Sequence, residues 1–220
     1  MKREIIKTGD GSHTIQLTEW NEQYHSKHGA IQEAMHVFVD SGLKLFADRN
    51  LSILEIGFGT GLNSLITYFE GKKLNLDIFY SGVEAYPVSK DELEVLNYTK
   101  QLSYEGADAV FKAIHDCDWE VENTLSTSFT LIKRKKFFHE LNDVEKFDLI
   151  YFDAFGARVQ PELWTEQIFD IMYKALKKDG ILVTYSAKGS VRRAMQSVGF
   201  LVEKLPGPPG KREMLRAKKV

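Results

Sequence analysis

A second cysteine is missing from this chain, and its absence removes several answers at once. Cys117 stands alone among 220 residues, so neither an intrachain disulfide nor a cysteine-built zinc cluster can organise the fold. Single-cysteine usage fits a reducing compartment. Long apolar runs are also lacking: nowhere do 18 apolar residues run together, and the opening MKREIIKTGDGSHTIQ has no apolar stretch of signal-peptide length. A soluble, cytoplasmic protein without a membrane partner is expected. There is no internal repeat and no low-complexity tract. The densest Pro/Gly stretch, LPGPPGKRE, is too short for a domain linker and reads as a shaped loop.

Strong net charge is lacking as well. The formal value is -2, which does not advertise a nucleic-acid binder. Its distribution is uneven. Residues 188–220 hold 9 Lys+Arg against 2 Asp+Glu, net +7, which leaves 20 against 29, net -9, for the rest. Such asymmetry marks either a local surface for polyanions or a solvated lysine-rich tail. What the chain does have is 43% hydrophobic and 12% aromatic residues, enough for one sizeable core and too much for disorder. His25, His28 and His36 lack metal-ligand spacing, and no metal is expected.

Hydrophobic patterning gives an N-terminal extension and a helix over 29–46, with Ile31, Met35, Phe38, Val39 and Leu43 on one face. Four apolar runs follow, LSILEIG, LDIFYSGVEA, SFTLIKRK and FDLIYFDAF, separated by expected helices over 89–102 and 107–114. A helix is expected over 161–178, with proline in its first turn and Lys177 and Lys178 at its negative end. GILVTYS, a helix over 191–198, and the runs FLVEKL and REMLRA complete the chain. Strands apolar throughout and alternating with helices imply a parallel sheet covered on both faces. The last two runs, joined by a tight loop, should pair antiparallel. The outline is α/β: a mixed sheet closed by a terminal antiparallel hairpin, in one domain of 1–220, with 1–50 as extension and helix and 51–220 as core.

LEIGFGTGLN follows the first of these strands and opens a helix. Glycines at 57, 59 and 61 let the backbone turn sharply and approach a ligand at the amide-rich helix start; the alternative is that they serve turn and packing alone. A dinucleotide fingerprint needs glycine at 62, where this chain has Leu62, and no Gly-Lys-Ser/Thr closes a P-loop. Glu55 before the first glycine repels phosphate but can meet an ammonium. Glu84 ends the second strand, 23 residues after Gly61 (84 less 61), where a carboxylate can accept ribose hydroxyls. Asp153 ends the fourth strand, on the side of an open sheet where ligands bind. A carboxylate there can hold an amine and take up its proton, or merely cap the loop before Pro161. Asp148 starts that strand and is assigned a structural role. KRKK at 133–136 reads as a solvated strand end, and Trp164 and Phe169 as core.

The glycine loop, with Glu55, Phe58 and Asn63, resembles the donor loop of S-adenosylmethionine-dependent methyltransferases, and the strand pattern resembles their class I, Rossmann-like fold. A closer resemblance is carried by YHSKHGAIQEAMHVFVDSGL, LEIGFGTGLN, YFDAFGARVQPELWT, TYSAKGSVRRAMQSVGF and PGPPGKREMLRA, in that order. Over 24–217 these are similar to the tRNA-modifying family formed by the methyltransferase domain of bifunctional MnmC and its stand-alone counterpart MnmD. The resemblance implies methyl transfer from S-adenosylmethionine, giving S-adenosylhomocysteine, to the amine of 5-aminomethyl-(2-thio)uridine at the tRNA wobble position. It implies that Asp153 contacts the reacting amine and that Gly57, Gly59, Gly61 and Glu84 hold the donor. Tyr24 and Ser26 are expected to line the donor pocket, and Phe155 and Gly156 to wall the substrate side. Lys188, Arg192, Arg193, Lys211 and Arg212 are expected to meet tRNA phosphates.

Two departures from the family pattern stand out. The chain has no room for the FAD-dependent oxidase domain, so no FAD is expected, and oxidation falls to a separate upstream oxidase. KRKKFF stands where relatives place an acid near adenine, and Asp116 and Asp118 are the candidates to replace it. A small-amine methyltransferase and a non-catalytic tRNA-binding module of the same fold are the alternatives. Whether Asp153 takes the proton or only aims the nitrogen stays open at this stage.

Overall fold

In the computed structural model, which describes residues 2–220, the N-terminal extension is a small antiparallel sheet of β1 (Arg3–Lys7), β2 (His13–Leu17) and β3 (Glu22–Gln23). The patterning missed it because only β2 has a continuous buried face. The expected long helix over 29–46 is instead α1 (Ala30–Ala34), a π-helical turn over Met35–Asp40 and a 3-10 turn over Leu43–Leu45. Its apolar residues still pack inward, with Val37, Phe38 and Leu43 at 0–2% exposure.

The main sheet has eight strands. β4 (Asn50–Ile56), β5 (Asp77–Val83), β7 (Phe129–Arg134), β8 (Phe147–Phe152) and β9 (Leu176–Thr184) run parallel, while β6 (Glu122–Ser126), β10 (Phe200–Pro206) and β11 (Glu213–Lys219) are antiparallel to their neighbours. The order is β10-β11-β9-β8-β4-β5-β7-β6. The terminal hairpin is as expected. The β6–β7 hairpin is an addition, because ENTLS alternates too weakly to read as a strand.

Between β4 and β5 lies α2 (Leu62–Lys73); α3 (Lys90–Glu94), α4 (Tyr98–Leu102) and α5 (Ala107–Asp116) follow β5; α6 (Glu166–Ala175) precedes β9 and α7 (Gly189–Ser197) follows it. The helix expected over 89–102 divides in two. Ser89 caps the first half with a reciprocal Ser89–Glu92 box, and Asn97 starts the second. The helix expected over 161–178 also divides, into a 3-10 turn (Pro161–Trp164) and α6. Thr165 restarts it by accepting from the Ile168 amide. It stops at Ala175, so Lys177 and Lys178 belong to β9 rather than to a helix end. Lys177 reaches Asp148 at 2.9 Å, and Asp148 also accepts from Arg49 and the Ser52 amide. That is the structural role expected of Asp148.

β8 is buried at every position. Tyr80, Phe129 and Tyr151 form an aromatic cluster on one face of the sheet; Phe152, Trp164 and Phe169 form another on the other. Burying one such ring contributes about 1.5–3 kcal/mol. The reading of Trp164 and Phe169 as core holds. The reading of 133–136 as solvated holds for exposed Lys135 but not for its first two residues: Lys133 is 1% exposed, donates to His115 O at 2.9 Å and lies over Trp119, while Arg134 pairs with Asp143. Burial pushes the Lys133 ammonium below its ordinary pKa. Among the described residues no helix is long and apolar enough to cross a membrane.

Candidate active site

Register decides what meets what. Ile56 pairs with Phe152 on one side and Val83 on the other, so the next residues, Gly57, Asp153 and Glu84, leave three adjacent strands at one level. The ladder runs on past the strands: the Asp153 amide donates to Ile56 O at 2.9 Å and the Gly57 amide to Val83 O at 3.0 Å. These ends open into a cleft of about 1260 Å³. Typical small-molecule pockets span ~300–1,000 Å³, so there is room for a second reactant beside a nucleoside-sized ligand. One wall is the main sheet. The other is the N-terminal sheet and its exit, with Trp20, Tyr24 and Ser26.

The glycine loop is shaped for close approach. Gly57 has φ +88°, and a Cβ there would stand 2.6 Å from Asp153 O. Gly59 has φ +49°, and a Cβ there would press on the Tyr24 ring at 3.1 Å. Gly61 serves differently: it caps α2 against His115 and does not line the cleft. Glu84 accepts from the Gly59 and Tyr86 amides at 3.0 and 2.9 Å, which fixes the carboxylate at the mouth of the loop. Burial pushes the Tyr24 hydroxyl up to about 12, so it stays a neutral phenol. Tyr24 packs edge-on against Phe155 at 5.0 Å, and Trp20 does so at 6.1 Å.

Asp153 sits half-buried on the floor and accepts from Asn63 Nδ2 at 2.9 Å. The same nitrogen donates to Glu55 Oε1 at 2.9 Å, and Glu55 Oε2 accepts from the Tyr80 hydroxyl at 2.8 Å. Glu55 is fully buried and does not line the cleft. The expectation that it meets an ammonium directly is therefore corrected: it holds Asn63, which holds Asp153. Burial raises the Glu55 carboxyl well above its usual range.

Burial also raises Asp153, with negative Glu33 adding to it and Asn63 and Lys211 opposing, to about 7. A carboxyl raised on folding binds its proton more tightly in the native state. Stability is therefore lost as pH climbs from the unfolded value of about 3.9 towards 7. Asp153→Asn is expected to raise the melting temperature at about pH 8, with the gain shrinking towards about pH 5. An equal change at both, read by calorimetric scanning, would contradict that placement.

The basic residues separate. Lys211 lines the cleft and pairs with Glu33 at 2.7 Å. Lys188, Arg192, Arg193 and Arg212 do not line it; they lie around the start of α7 and the terminal hairpin, with Lys188, Arg193 and Arg212 exposed. Asp116 and Asp118 also fall outside the cleft, and Asp116 is turned to Lys112. In place of an acid, exposed Tyr86 and Phe137 face each other edge-on at 5.8 Å at the mouth, with His139 stacked behind. Glu33 and Tyr185 were missed. A buried acid inside an amphipathic helix, and a tyrosine ending a strand, carry no spacing that marks them. Among the described residues no three His, Cys, Asp or Glu side chains are grouped to hold a metal ion.

A parallel sheet closed by an antiparallel hairpin, with a glycine loop, a strand-end acid and a second acid at the adjoining strand end, defines a class I methyltransferase. The chain belongs to the S-adenosyl-L-methionine-dependent methyltransferase family, whose model matches residues 106–220. It is similar to the tRNA 5-methylaminomethyl-2-thiouridine biosynthesis bifunctional protein MnmC of Idiomarina loihiensis, 27% identical over 216 residues, covering 90% of this chain and 36% of that protein. The MnmC of Burkholderia multivorans is 29% identical over 218 residues, covering 92% and 33%. The chain thus spans about a third of the length of the curated relatives it matches. Among solved structures, MNMC2 from Aquifex aeolicus superposes with a TM-score of 0.80 at 24% identity, over 100% of this chain and 70% of that one. Spermidine synthase from Thermotoga maritima superposes at 0.54 and 13%, over 99% and 68%. Both show the fold.

The residues present fit the methyl donor that this family uses. Asn63 Oδ1 is buried without a partner. Nδ2 of the same amide donates to both carboxyl groups, which sets its orientation. A donor group is what the position lacks. The loop at Gly57 and Gly59 leaves backbone bare where a Cβ would intrude, and Glu84 stands ready for hydroxyls.

Proposed function

We propose that this methyltransferase acts on the primary amine of 5-aminomethyl-(2-thio)uridine at the wobble position of tRNA, in the cytoplasm, with an upstream oxidase activity as the source of the amine. The observation that carries the reading is the place of Asp153 on the floor of the cleft, one strand from the glycine loop, where burial raises its carboxyl to about 7. The printed names of the relatives, which concern 5-methylaminomethyl-2-thiouridine biosynthesis in tRNA, supply the substrate class. A wobble nucleotide lies in a single-stranded loop and can be splayed into a cleft at low cost. Trp20, Phe155 and Gly156 give it an aromatic and narrow wall. Exposed Lys188, Arg193 and Arg212, with Arg192 beside them, would make the backbone contacts.

Gly57, Gly59, Asn63 and Glu84 would hold S-adenosylmethionine, with Tyr24 and Ser26 opposite. When bound, it supplies an electrophilic methyl carbon on a sulfonium. The chain's own residues then handle the amine. An alkylammonium titrates near 10.4 by analogy with lysine, so it arrives charged and must lose a proton before its lone pair is free. Asp153 in its carboxylate form accepts a hydrogen bond from that ammonium, orients the nitrogen and takes the proton. Burial favours the transfer twice, since it disfavours the ammonium and the carboxylate alike. Phe155 and Gly156 keep bulk water from competing.

The activity limb should follow Asp153. On free enzyme, kcat/KM is expected to rise with pH through about 7, as Asp153 ionises. Incubation with labelled donor and tRNA carrying or lacking the 5-aminomethyl group, with a free alkylamine in parallel, tests the substrate. Label is expected only in the aminomethyl nucleoside. Label in the free amine and none in tRNA would reject tRNA as the substrate.

A further inference from the structure

Lys211 is expected from sequence to meet RNA phosphate, yet the fold engages it elsewhere. Its Nζ donates to Glu33 Oε2 at 2.7 Å and lies 3.9 Å over the Tyr185 ring. Glu33, 7% exposed, accepts from the Ser26 amide with its other oxygen at 3.2 Å. Tyr185 donates its hydroxyl to Ala154 O at 2.8 Å, beside Asp153. The backbone holds both partners in place. His36 Nε2 meets Pro206 O at 2.8 Å. Gly210, at φ +84°, lies so close to the His28 ring that a Cβ there would collide with it. The loop before β11 is thus tied to the α1 segment, with the ion pair between them. A phosphate clamp needs a cation free to reach outward. This one is held by a carboxylate and an aromatic face inside the cleft.

We propose that Glu33 and Lys211, an ion pair laid over Tyr185 beside Asp153, are a positioning pair for methyl transfer, and that Lys211 makes no RNA phosphate contact. The role in catalysis rests on the amine-methylation reading above. Several groups face Asp153. Glu55 on β4 reaches it through Asn63, Tyr80 comes from β5 and Tyr185 follows β9, while Glu84 and Glu22 line the same cleft. Burial raises the Glu55 carboxyl well above its usual range and keeps both tyrosines neutral. Glu33 opposes the ionisation of Asp153 and Lys211 favours it. Removing either partner should therefore move Asp153 in opposite senses.

The test is a carbon-13 NMR titration of the aspartate carboxyls in the ligand-free full chain, with Asp153 assigned through Asp153→Asn. Glu33→Gln is expected to lower the Asp153 midpoint by about half a pH unit or more, and Lys211→Gln to raise it by a similar amount. Lys211→Arg should leave it near wild type. The pH limb of kcat/KM on an aminomethyl-bearing anticodon stem–loop should shift in the same order. Midpoints unmoved in Glu33→Gln and Lys211→Gln would overturn the pair. So would a Lys211→Gln salt dependence of KM shallower by about one unit of slope, the mark of a lost phosphate contact. If Lys211→Gln does not fold, Glu33→Gln and Lys211→Arg decide. Since the titration needs no substrate, failure of the tRNA reading would show separately, as the expected shifts with no methyl transfer to the stem–loop.

Discussion

Asp153→Ala is expected to lower kcat on aminomethyl tRNA by about 10²–10⁴-fold, the range for loss of a positioned acid–base group, and to leave S-adenosylhomocysteine affinity nearly unchanged by calorimetry. The two effects separate because the contacts are separate. The donor side would be built from Gly57, Gly59, Glu84 and their amides, whereas Asp153 touches that side only through Asn63. Asp153→Asn distinguishes holding from proton transfer. An amide still meets a neutral amine but neither attracts an ammonium nor takes its proton, so a loss as deep as that of alanine assigns the proton to Asp153. Recovery of rate at high pH, where the free amine is already present, would instead assign it to water.

Gly57→Ala is expected to abolish measurable donor binding and to destabilise the fold. At φ +88° an alanine is strained, by about 1–3 kcal/mol. Its Cβ would also lie 2.6 Å from Asp153 O, and that atom is backbone in a tight ladder rather than the movable end of a side chain. Relief requires the Asp153 segment to move, which misplaces the carboxyl even if donor still binds. A lowered melting temperature and no calorimetric heat with S-adenosylhomocysteine are the expected results. Gly106→Ala is a control: it shares a positive φ, of +77°, but a Cβ there meets nothing within 4 Å. It should lose stability without losing donor affinity.

How much of this was legible in the sequence follows from how local each signal is. LSILEIG, LDIFYSGVEA and FDLIYFDAF read correctly because parallel strands covered on both faces are apolar over most of their length. From them the strand-end placement of Glu84 and Asp153 follows directly. The helix ends over 161–178 did not read correctly: the Thr165 cap is a local signal that the longer apolar pattern overrode, and the pull of Asp148 on Lys177 is a tertiary fact. Lys133 and Arg134 looked solvated because a run of cations gives no hint of Trp119 and Asp143 waiting to bury them. Glu55 stood in the right motif but one layer too deep. Alternation along β4 fixes which face a side chain takes, not whether Asn63 will lie between it and the ligand. Glu33 and Lys211 are 178 residues apart, and no pattern in a single sequence joins them.

The most direct measurement is a crystal structure of the full chain with S-adenosylhomocysteine and an anticodon stem–loop carrying 5-aminomethyl-2-thiouridine at the wobble position. The wobble base is expected turned into the cleft against Phe155, with its amine nitrogen within hydrogen-bond distance of Asp153 and in line with the donor sulfur. A wobble base left outside the cleft, or an amine held by another group with Asp153 unengaged, would contradict that arrangement.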